Sequence, residues 1–273
     1  MPIEQLITLA IIQGITEFLP ISSSGHLIMI PALTGWTDQG PLVDVAVHVG
    51  SLVAVLIYFW RDVLMLLAGL GQLLRGRLTP EARLLLMLAV ASLPVLVAGY
   101  LLVRSGYVSD LRTLAVIAWA NLGFAVVLWI ADGMGLTIRR VEHTSWFDAI
   151  MVGLAQVCSL VPGASRAGVT MTMARFLGFE RADAARLSML LSIPTILALG
   201  GATAYELYGS GDFALQEGAI IAAALSCLAA LIAIWMMMAI LRRATMFIFV
   251  AYRLALGIVL LAFIYGLIPI GGA

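Results

Sequence analysis

A run of polar and ionisable side chains interrupts the apolar start of the chain between Gln13 and His26. Gln13 and Glu17 stand four residues apart, so one helix face would carry both the amide and the carboxylate. Pro20 should interrupt that helix, because proline lacks an N–H and clashes with the preceding turn. Polar groups at membrane depth are costly and commonly mark function. The spacing therefore predicts a site in which a carboxylate faces a broken helix.

Three consecutive hydroxyl groups, those of Ser22, Ser23 and Ser24, follow the break. Each could be a nucleophile, a hydrogen-bond donor to a phosphate, or a cap for the first N–H groups of a new helix. Capping is the simplest interpretation of any one of them alone, but such a helix terminus also attracts anions. His26 lies three residues after Ser23 and could act as its base; equally, it could only satisfy its hydrogen bonds within the helix bundle.

A second interrupted stretch supplies a positive charge, in the run Pro-Gly-Ala-Ser-Arg that begins at Pro162. Its arginine, Arg166, lies in apolar surroundings, where an arginine needs an anion. The planar guanidinium suits a phosphate bound through two hydrogen bonds, and Glu17 is the alternative partner. Ser165 and Thr170 are further candidate phosphate donors, with helix capping as the alternative.

A hard divalent cation would also suit these residues. Such ions prefer oxygen ligands, usually one or two carboxylates together with substrate phosphates. Glu17 supplies the carboxylate, and Gln13 can supply only a neutral carbonyl oxygen. The two residues are therefore the candidate metal ligands.

Three other polar residues in apolar segments receive structural interpretations. Asp44 and His48 are interpreted as a packed pair near the membrane interface, although His48 could border the cavity. Arg253 is interpreted as a structural ion-pair or snorkelling residue of the last span.

The composition is that of a polytopic membrane protein. Of the 273 residues, 63% are hydrophobic and 11% are charged, and the mean hydropathy is +1.09; no soluble domain needs so much apolar content. The formal net charge is zero, which gives no indication of nucleic-acid binding. The two cysteines lack metal-ligand spacing and are expected in the apolar core. The start of the chain lacks the features of a cleaved signal peptide.

The apolar segments predict an all-α polytopic integral membrane protein with a single membrane domain, 1–273. Two segments are too interrupted for plain spans and are predicted as re-entrant helix–loop–helix units, 2–33 and 147–178. Such backbone is tolerated at membrane depth where it lines an enclosed cavity. These units open the two halves of the domain, 1–132 and 147–273. About six full spans are predicted, at 42–60, 84–104, 112–132, 184–207, 217–240 and 246–268, with a polar loop over 61–83.

The placement of arginine predicts the orientation. Eleven of the fifteen arginines lie in the loops 61–83, 139–140, 175–186 and 242–243, and none lies in 1–41. If those loops are cytoplasmic, both termini lie outside, and the two broken segments enter from opposite sides. Transporters use such an inverted repeat to place a site near the midplane. The repeat pairs Gln13, Pro20 and Ser23 with Gln156, Pro162 and Ser165, at offsets of 142 or 143 residues.

The two broken segments resemble those of a known family, the bacitracin-resistance-type undecaprenyl-diphosphate phosphatases. The resemblance rests on Gln-x3-Glu followed by Phe-Leu-Pro-Ile-Ser-Ser-Ser-Gly-His, and on Pro-Gly-x-Ser-Arg-x-x-x-Thr in the second half. It implies hydrolysis of undecaprenyl diphosphate to the monophosphate carrier lipid of peptidoglycan synthesis, with bacitracin resistance, in the bacterial inner membrane. It also implies a divalent cation, Mg²⁺ or Ca²⁺, and a site open to the periplasmic side. A homodimer is a further expectation.

By that resemblance, the family's motifs fall on Gln13, Glu17, Ser22, Ser23, His26 and Arg166. The chain departs from the family pattern at two positions. Gln13 stands where many members have glutamate, and Ala167 stands where a second serine usually follows the arginine.

Two mechanisms and one alternative function stay open at this point. Ser23 could attack the phosphorus in line while His26 or Glu17 takes its proton, or a metal-activated water could attack with Ser23 as a donor. A polyprenyl-phosphate lipid transporter would use the same inverted repeat to bind a head group without cleaving it. An intramembrane serine protease would have no use for a buried arginine beside its serine. The other class of membrane lipid phosphatase has a signature that opens with lysine, and that class is excluded because the chain contains no lysine.

Overall fold

The computed structural model describes residues 2–36, 40–134, 138–210 and 213–267, with the side chains of 32, 33, 41, 199 and 201–216 left undescribed. The described residues are almost entirely helical, with one isolated bridge between Arg139 and Phe179. The helices are α1 Ile3–Thr16, α2 Ser23–Thr34, α3 Gly40–Tyr58, α4 Trp60–Leu74, α5 Pro80–Ser105, α6 Val108–Leu111, α7 Leu114–Met134, α8 Trp146–Val157, α9 Arg166–Phe176, α10 Arg181–Ser210, α11 Phe213–Leu241 and α12 Phe247–Ile264. This confirms the predicted all-α class.

The length and composition of several of these helices suit a membrane span. Within the described ranges, α5, α7, α12 and the Glu217–Leu241 part of α11 are long and apolar enough, and Leu42–Tyr58 with Trp60–Leu74 forms one further broken span bent by 90°. The chain is therefore a multi-pass membrane protein. About six full spans were expected, and the difference lies in this bend and in α10. Helix α10 covers the predicted span 184–207, but its side chains at 199 and 201–210 lie outside the described residues, so this span stays a prediction.

The predicted polar loop over 61–83 is wrong for most of its length. Residues 60–74 form α4, because the segment between Arg61 and Arg75 is rich in leucine and packs Leu66 and Gly69 inward. A short connection then leads to Thr79, whose hydroxyl caps α5 by accepting from the Ala82 N–H at 3.4 Å. The arginines at the two ends of the segment led to the prediction of a loop, although the leucines between them favour a helix.

Both predicted broken segments are confirmed, and their breaks have the same backbone geometry. The first break runs from the end of α1 to Ser22, and the second from the end of α8 to Ser165. Ser22 and Ser165 have φ angles of 74° and 69°, and among the described residues they alone combine a side chain with a positive φ. Each serine caps the following helix, through the Gly25 N–H at 3.3 Å and the Gly168 N–H at 3.0 Å. Such backbone conformations persist where the surrounding structure holds them.

This geometry fixes the register of the repeat. Ser22 corresponds to Ser165, an offset of 143 residues, so the predicted pairing of Ser23 with Ser165 was wrong by one position. In the corrected register Ser23 corresponds to Arg166.

The packing of the helices repeats in the same way. Helix α1 packs against α11, with Gly14 close to Ala229, and α8 packs against α5, with Gly153 close to Ala91. Each opening helix therefore lies on a long helix of the other half. Helices α7 and α12, the last of each half, pack against each other. The two breaks are thereby brought together inside one helical bundle.

Candidate active site

Glu17 is the centre of the site. It follows the last residue of α1 and is 6% exposed. Its Oε1 atom accepts a hydrogen bond from Nη2 of Arg166 at 2.6 Å. Its Oε2 atom accepts from Nε2 of Gln13 at 2.7 Å and from the hydroxyl of Ser23 at 2.6 Å. Four residues singled out in the sequence, from both broken segments, thus meet at one carboxylate.

Local structure explains how these side chains converge. The Glu17 N–H donates to the Gln13 carbonyl at 2.9 Å, so the helix continues far enough to place both side chains on one face. Ser23 is the first residue of α2, and Arg166 is the first residue of α9. Each follows a capping serine with a positive φ. The same backbone turn therefore directs a hydroxyl from one half and a guanidinium from the other toward Glu17.

Ser22 joins the two breaks. Its buried hydroxyl accepts from the Gly25 N–H within α2 and from the Gly163 N–H of the second break, at 3.1 Å. Ser24 lies beside it, with the two hydroxyl oxygens 3.4 Å apart. The hydroxyls of Ser22 and Ser165 are engaged as caps in this structure. The roles of Ser22, Ser24 and Ser165 as phosphate donors stay predictions.

Thr170 is engaged in helix packing in this structure, and its role as a phosphate donor stays a prediction. Its side chain is buried, and its hydroxyl lies 2.9 Å from the Arg166 carbonyl and 2.7 Å from the Ser188 hydroxyl. These contacts tie α9 to α10.

His26 is engaged away from Ser23. Its Nδ1 atom lies 2.7 Å from the Ser22 carbonyl, which can only accept, so Nδ1 carries the proton. Its Nε2 atom lies 2.6 Å from the Tyr252 hydroxyl, which then donates to it. The predicted hydrogen bond from Ser23 to His26 is therefore replaced by the bond from Ser23 to Glu17. Of the two candidate bases, Glu17 has the required contact.

His48 also reaches the site, which the preferred interpretation of the sequence missed. Its Nε2 atom lies 3.5 Å from Oε2 of Glu17. Its Nδ1 atom bonds the main-chain carbonyl of Asp44 at 2.6 Å, which orients the ring. The presence of a histidine within an apolar span was the only signal in the sequence, and it did not reveal which helix His48 would face.

Comparison with known proteins shows the family of the chain. The family described as "Bacitracin resistance protein BacA" matches residues 6–259. The chain belongs to the BacA family. It is 47% identical over 266 residues to an undecaprenyl-diphosphatase of Roseobacter denitrificans, covering 97% of this chain and 100% of that protein. It is 49% identical over 266 residues to an undecaprenyl-diphosphatase of Ruegeria pomeroyi, with the same coverage. It is 46% identical over 262 residues to one of Maricaulis maris, covering 94% of this chain and 97% of that protein.

In this BacA-family site, Arg166 has contacts that orient its guanidinium. Nη1 lies 3.4 Å from the Thr195 hydroxyl, and the guanidinium carbon lies 5.8 Å from the centre of the Phe18 ring. The side chain keeps 17% exposure, so it is less enclosed than Glu17. Neither Thr195 nor Phe18 was singled out in the sequence, because each touches the site through Arg166.

The position of Arg253 in the structure differs from the interpretation of its sequence. It is fully buried, which excludes snorkelling, and it donates hydrogen bonds to main-chain carbonyls. Within the described part of the chain it forms no ion pair with a carboxylate. The interpretation as an ion-pair or snorkelling residue was wrong.

The oxygen atoms around Glu17 fit a divalent cation that also binds the substrate. Within the described ranges, no group of three or more histidine, cysteine, aspartate or glutamate side chains is placed to hold a metal ion alone. Gln13, however, has a buried Oε1 atom without a hydrogen-bond partner, next to the Glu17 carboxylate. One carboxylate, one amide oxygen and substrate phosphates are a ligand set that Mg²⁺ commonly uses.

Proposed function

We propose that this protein hydrolyses undecaprenyl diphosphate to undecaprenyl phosphate and inorganic phosphate. This reaction returns the carrier lipid to peptidoglycan synthesis and gives resistance to bacitracin. Support comes from family membership over nearly the whole chain and from relatives of about the same length that carry the name undecaprenyl-diphosphatase. The enzyme is thus a hydrolase acting on a phosphoric anhydride.

The observation that carries the proposal is the meeting of Ser23 and Arg166 on Glu17. Phosphoryl transfer depends mainly on positioning the groups and on neutralising the phosphoryl oxygens. Arg166 is a forked cation able to bind two phosphate oxygens. Glu17 is within hydrogen-bond reach of the Ser23 hydroxyl. A nucleophile, a base and a phosphate-binding group therefore stand within one small site.

The mechanism that this geometry supports begins when the terminal phosphate takes Arg166 from Glu17. The freed carboxylate accepts the Ser23 proton as the hydroxyl oxygen attacks the terminal phosphorus in line. The bond from phosphorus to the bridging oxygen breaks, and undecaprenyl phosphate leaves. Glu17 returns its proton to the departing lipid phosphate and is again a carboxylate. Water then attacks the phosphoserine while Glu17 accepts a proton from it. The bond from phosphorus to the Ser23 oxygen breaks, Glu17 gives the proton to that oxygen, and inorganic phosphate departs. The alternative is direct attack by water, with Ser23 donating a hydrogen bond to the phosphate.

The divalent cation, Mg²⁺ or Ca²⁺, belongs to the same proposal. Glu17 and the unpartnered Oε1 of Gln13 would hold it together with substrate phosphates. The ion would supply positive charge that neutralises the phosphoryl oxygens. Gln13 is neutral where many members of the family have a carboxylate, so Glu17 contributes the charge of the ligand set.

Placement in the membrane completes the proposal. The multi-pass chain would lie in the bacterial inner membrane with the site open to the periplasmic side, where the lipid substrate is met, and a homodimer is a further proposal. The arginine distribution supports this orientation. Arg186, on the arginine-rich side, bonds Asp62 of α4 and Glu142 of the segment between the halves.

The test is phosphate release from undecaprenyl diphosphate by the purified protein in detergent, with and without EDTA. We expect many turnovers per protein molecule, loss of activity with EDTA, and recovery when Mg²⁺ or Ca²⁺ is restored. Turnover that EDTA leaves unchanged would contradict the cation proposal alone. A folded protein that binds the lipid and releases no phosphate would contradict the enzyme and favour a lipid transporter.

A further inference from the structure

Arg253 occupies an unusual place for a charged residue. It lies in α12, it is 0% exposed, and the described residues provide it with no carboxylate partner. Its Nη1 atom donates to the Pro20 carbonyl at 3.2 Å, and its Nη2 atom donates to the carbonyls of Gly163 and Ala164 at 2.8 and 3.0 Å. Burying a charge is expensive unless strong contacts compensate for it. All of these compensating contacts come from the two breaks.

The contacts respect the register of the repeat. Pro20 and Gly163 lie 143 residues apart, the offset that relates Ser22 to Ser165. Each of these carbonyls lies two residues before a capping serine. Arg253 therefore joins equivalent points of the two halves, and the bond from the Gly163 N–H to the Ser22 hydroxyl joins them a second time.

The first turn of α9 closes around the same guanidinium. A Cβ atom added to Gly168 would lie 2.7 Å from Nη1 of Arg253. Gly168 is also the residue whose N–H is capped by Ser165. Arg253 thus holds in place the second break and the first turn of α9, the helix that carries Arg166.

We infer that Arg253 is a positioning residue of the phosphatase site, acting through the two breaks. Ser23 and Arg166 immediately follow the serines whose left-handed backbone the breaks impose. A change in the separation of the breaks moves the hydroxyl and the guanidinium relative to Glu17. Misplacement of reacting groups by about 1 Å can cost about 100-fold in rate. The inference rests on the proposed function.

The test compares Arg253→Lys and Arg253→Met with Arg175→Lys. Arg175 is the control because it is also fully buried and donates to main-chain carbonyls, those of Phe179 and Asp132. It differs from Arg253 in also pairing with the Asp132 carboxylate, 3.2 Å from its Nε atom. Thermal stability and the folded fraction are measured first, by unfolding and by size-exclusion chromatography in detergent. Then kcat and KM are measured for phosphate release per folded molecule.

We expect both Arg253 variants to lose about 100-fold in kcat, while Arg175→Lys loses stability and keeps its kcat. Lysine retains the charge but cannot span three carbonyls, so a fully active Arg253→Lys protein would overturn the positioning role. Folded Arg253→Met with wild-type kcat would overturn it too. Failure of the wild type to release phosphate would instead contradict the proposed function.

Gly168→Ala gives an independent readout, even if the Arg253→Met protein does not fold. The added methyl group should displace the guanidinium and lower kcat in the otherwise native chain. In the Arg253→Lys background, where that contact is already lost, the same substitution should cost much less. Folded Gly168→Ala with wild-type kcat, or additive losses in the double variant, would overturn the inference.

Discussion

The two breaks share a backbone and differ in chemistry. Both contain a capping serine with a positive φ, and both yield a carbonyl to Arg253. The side chains around these turns are not equivalent. Glu17, Ser23 and His26 correspond to Leu160, Arg166 and Val169 in the register set by the capping serines.

The repeated backbone turn is the scaffold of the site, and the side chains that differ between the two breaks carry its chemistry. The repeated turn presents the first residue of a helix toward the partner half, whatever that residue is. One half contributes an acid and a hydroxyl, and the other contributes a cation. A symmetric pair would have placed two carboxylates or two guanidinium groups together, which like charges disfavour. The comparison predicts one composite site rather than two.

The largest expected effect on kcat is at Ser23, and it distinguishes the role of Ser23 from that of His26. Ser23→Ala should lower kcat by about 10³-fold or more, because it removes the attacking hydroxyl. His26→Ala should cost less than about 100-fold, because the histidine bonds Ser22 and Tyr252 and not Ser23. Phosphate release by the purified variants measures both.

A second measurement tests the same prediction. The reaction with labelled substrate is quenched with acid, which traps any phosphoserine. Label should appear at residue 23 in the wild type. Turnover by Ser23→Ala within tenfold of the wild type, without labelled protein, would favour direct attack by water.

An intermediate effect is expected at Gln13, and it is compared with the effect at Gln156, the amide at the equivalent position of the second break. Gln13 has one buried oxygen without a partner and donates to Glu17, whereas Gln156 is buried with both polar atoms unpartnered among the described residues. Gln13→Leu should lower kcat by about 10- to 100-fold, because it removes both the hydrogen bond to Glu17 and a proposed oxygen ligand of the cation. Gln156→Leu should keep kcat and raise stability by about 1 kcal/mol, because an unsatisfied amide leaves the interior. Equal effects on kcat would show that the second break also takes part in the chemistry.

The smallest expected effect concerns the capping serines. The Ser22 hydroxyl accepts from two N–H groups, and the Ser165 hydroxyl accepts from one cap N–H. Loss of a serine cap costs about 1 kcal/mol, and a further buried N–H left unsatisfied costs about 1–3 kcal/mol more. Ser22→Ala should therefore destabilise the protein more than Ser165→Ala does. Urea unfolding of both variants in detergent measures the difference, and equal losses would mean that the link from Ser22 to Gly163 is unimportant.

The sequence predicts the breaks better than it predicts their surroundings. Proline, glycine and polar residues inside apolar segments predicted both breaks. The pairing of Glu17 with Arg166 was only the alternative to a substrate phosphate. The register was wrong by one because three serines compete as caps, and only the backbone φ of Ser22 decides between them.

The sequence does not show that the site and the breaks are also contacted by His48, Tyr252 and Arg253. They come from long helices, and the face that each helix turns toward the breaks depends on tertiary packing. A hydrophobic pattern that is apolar on all sides does not specify that face. The helix over 60–74 was missed for a different reason, since its terminal arginines resemble those of a loop.

The central claim is that Glu17 and Arg166, from opposite halves, act as one catalytic unit. It is tested most directly by the kcat of Glu17→Gln, Arg166→Gln and the double variant, measured on folded protein with undecaprenyl diphosphate. Each single substitution should cost about 10³-fold. The double variant should be little worse than either, because groups that act together are not additive. Fully multiplicative losses, or an Arg166→Gln enzyme with wild-type kcat, would contradict the composite site.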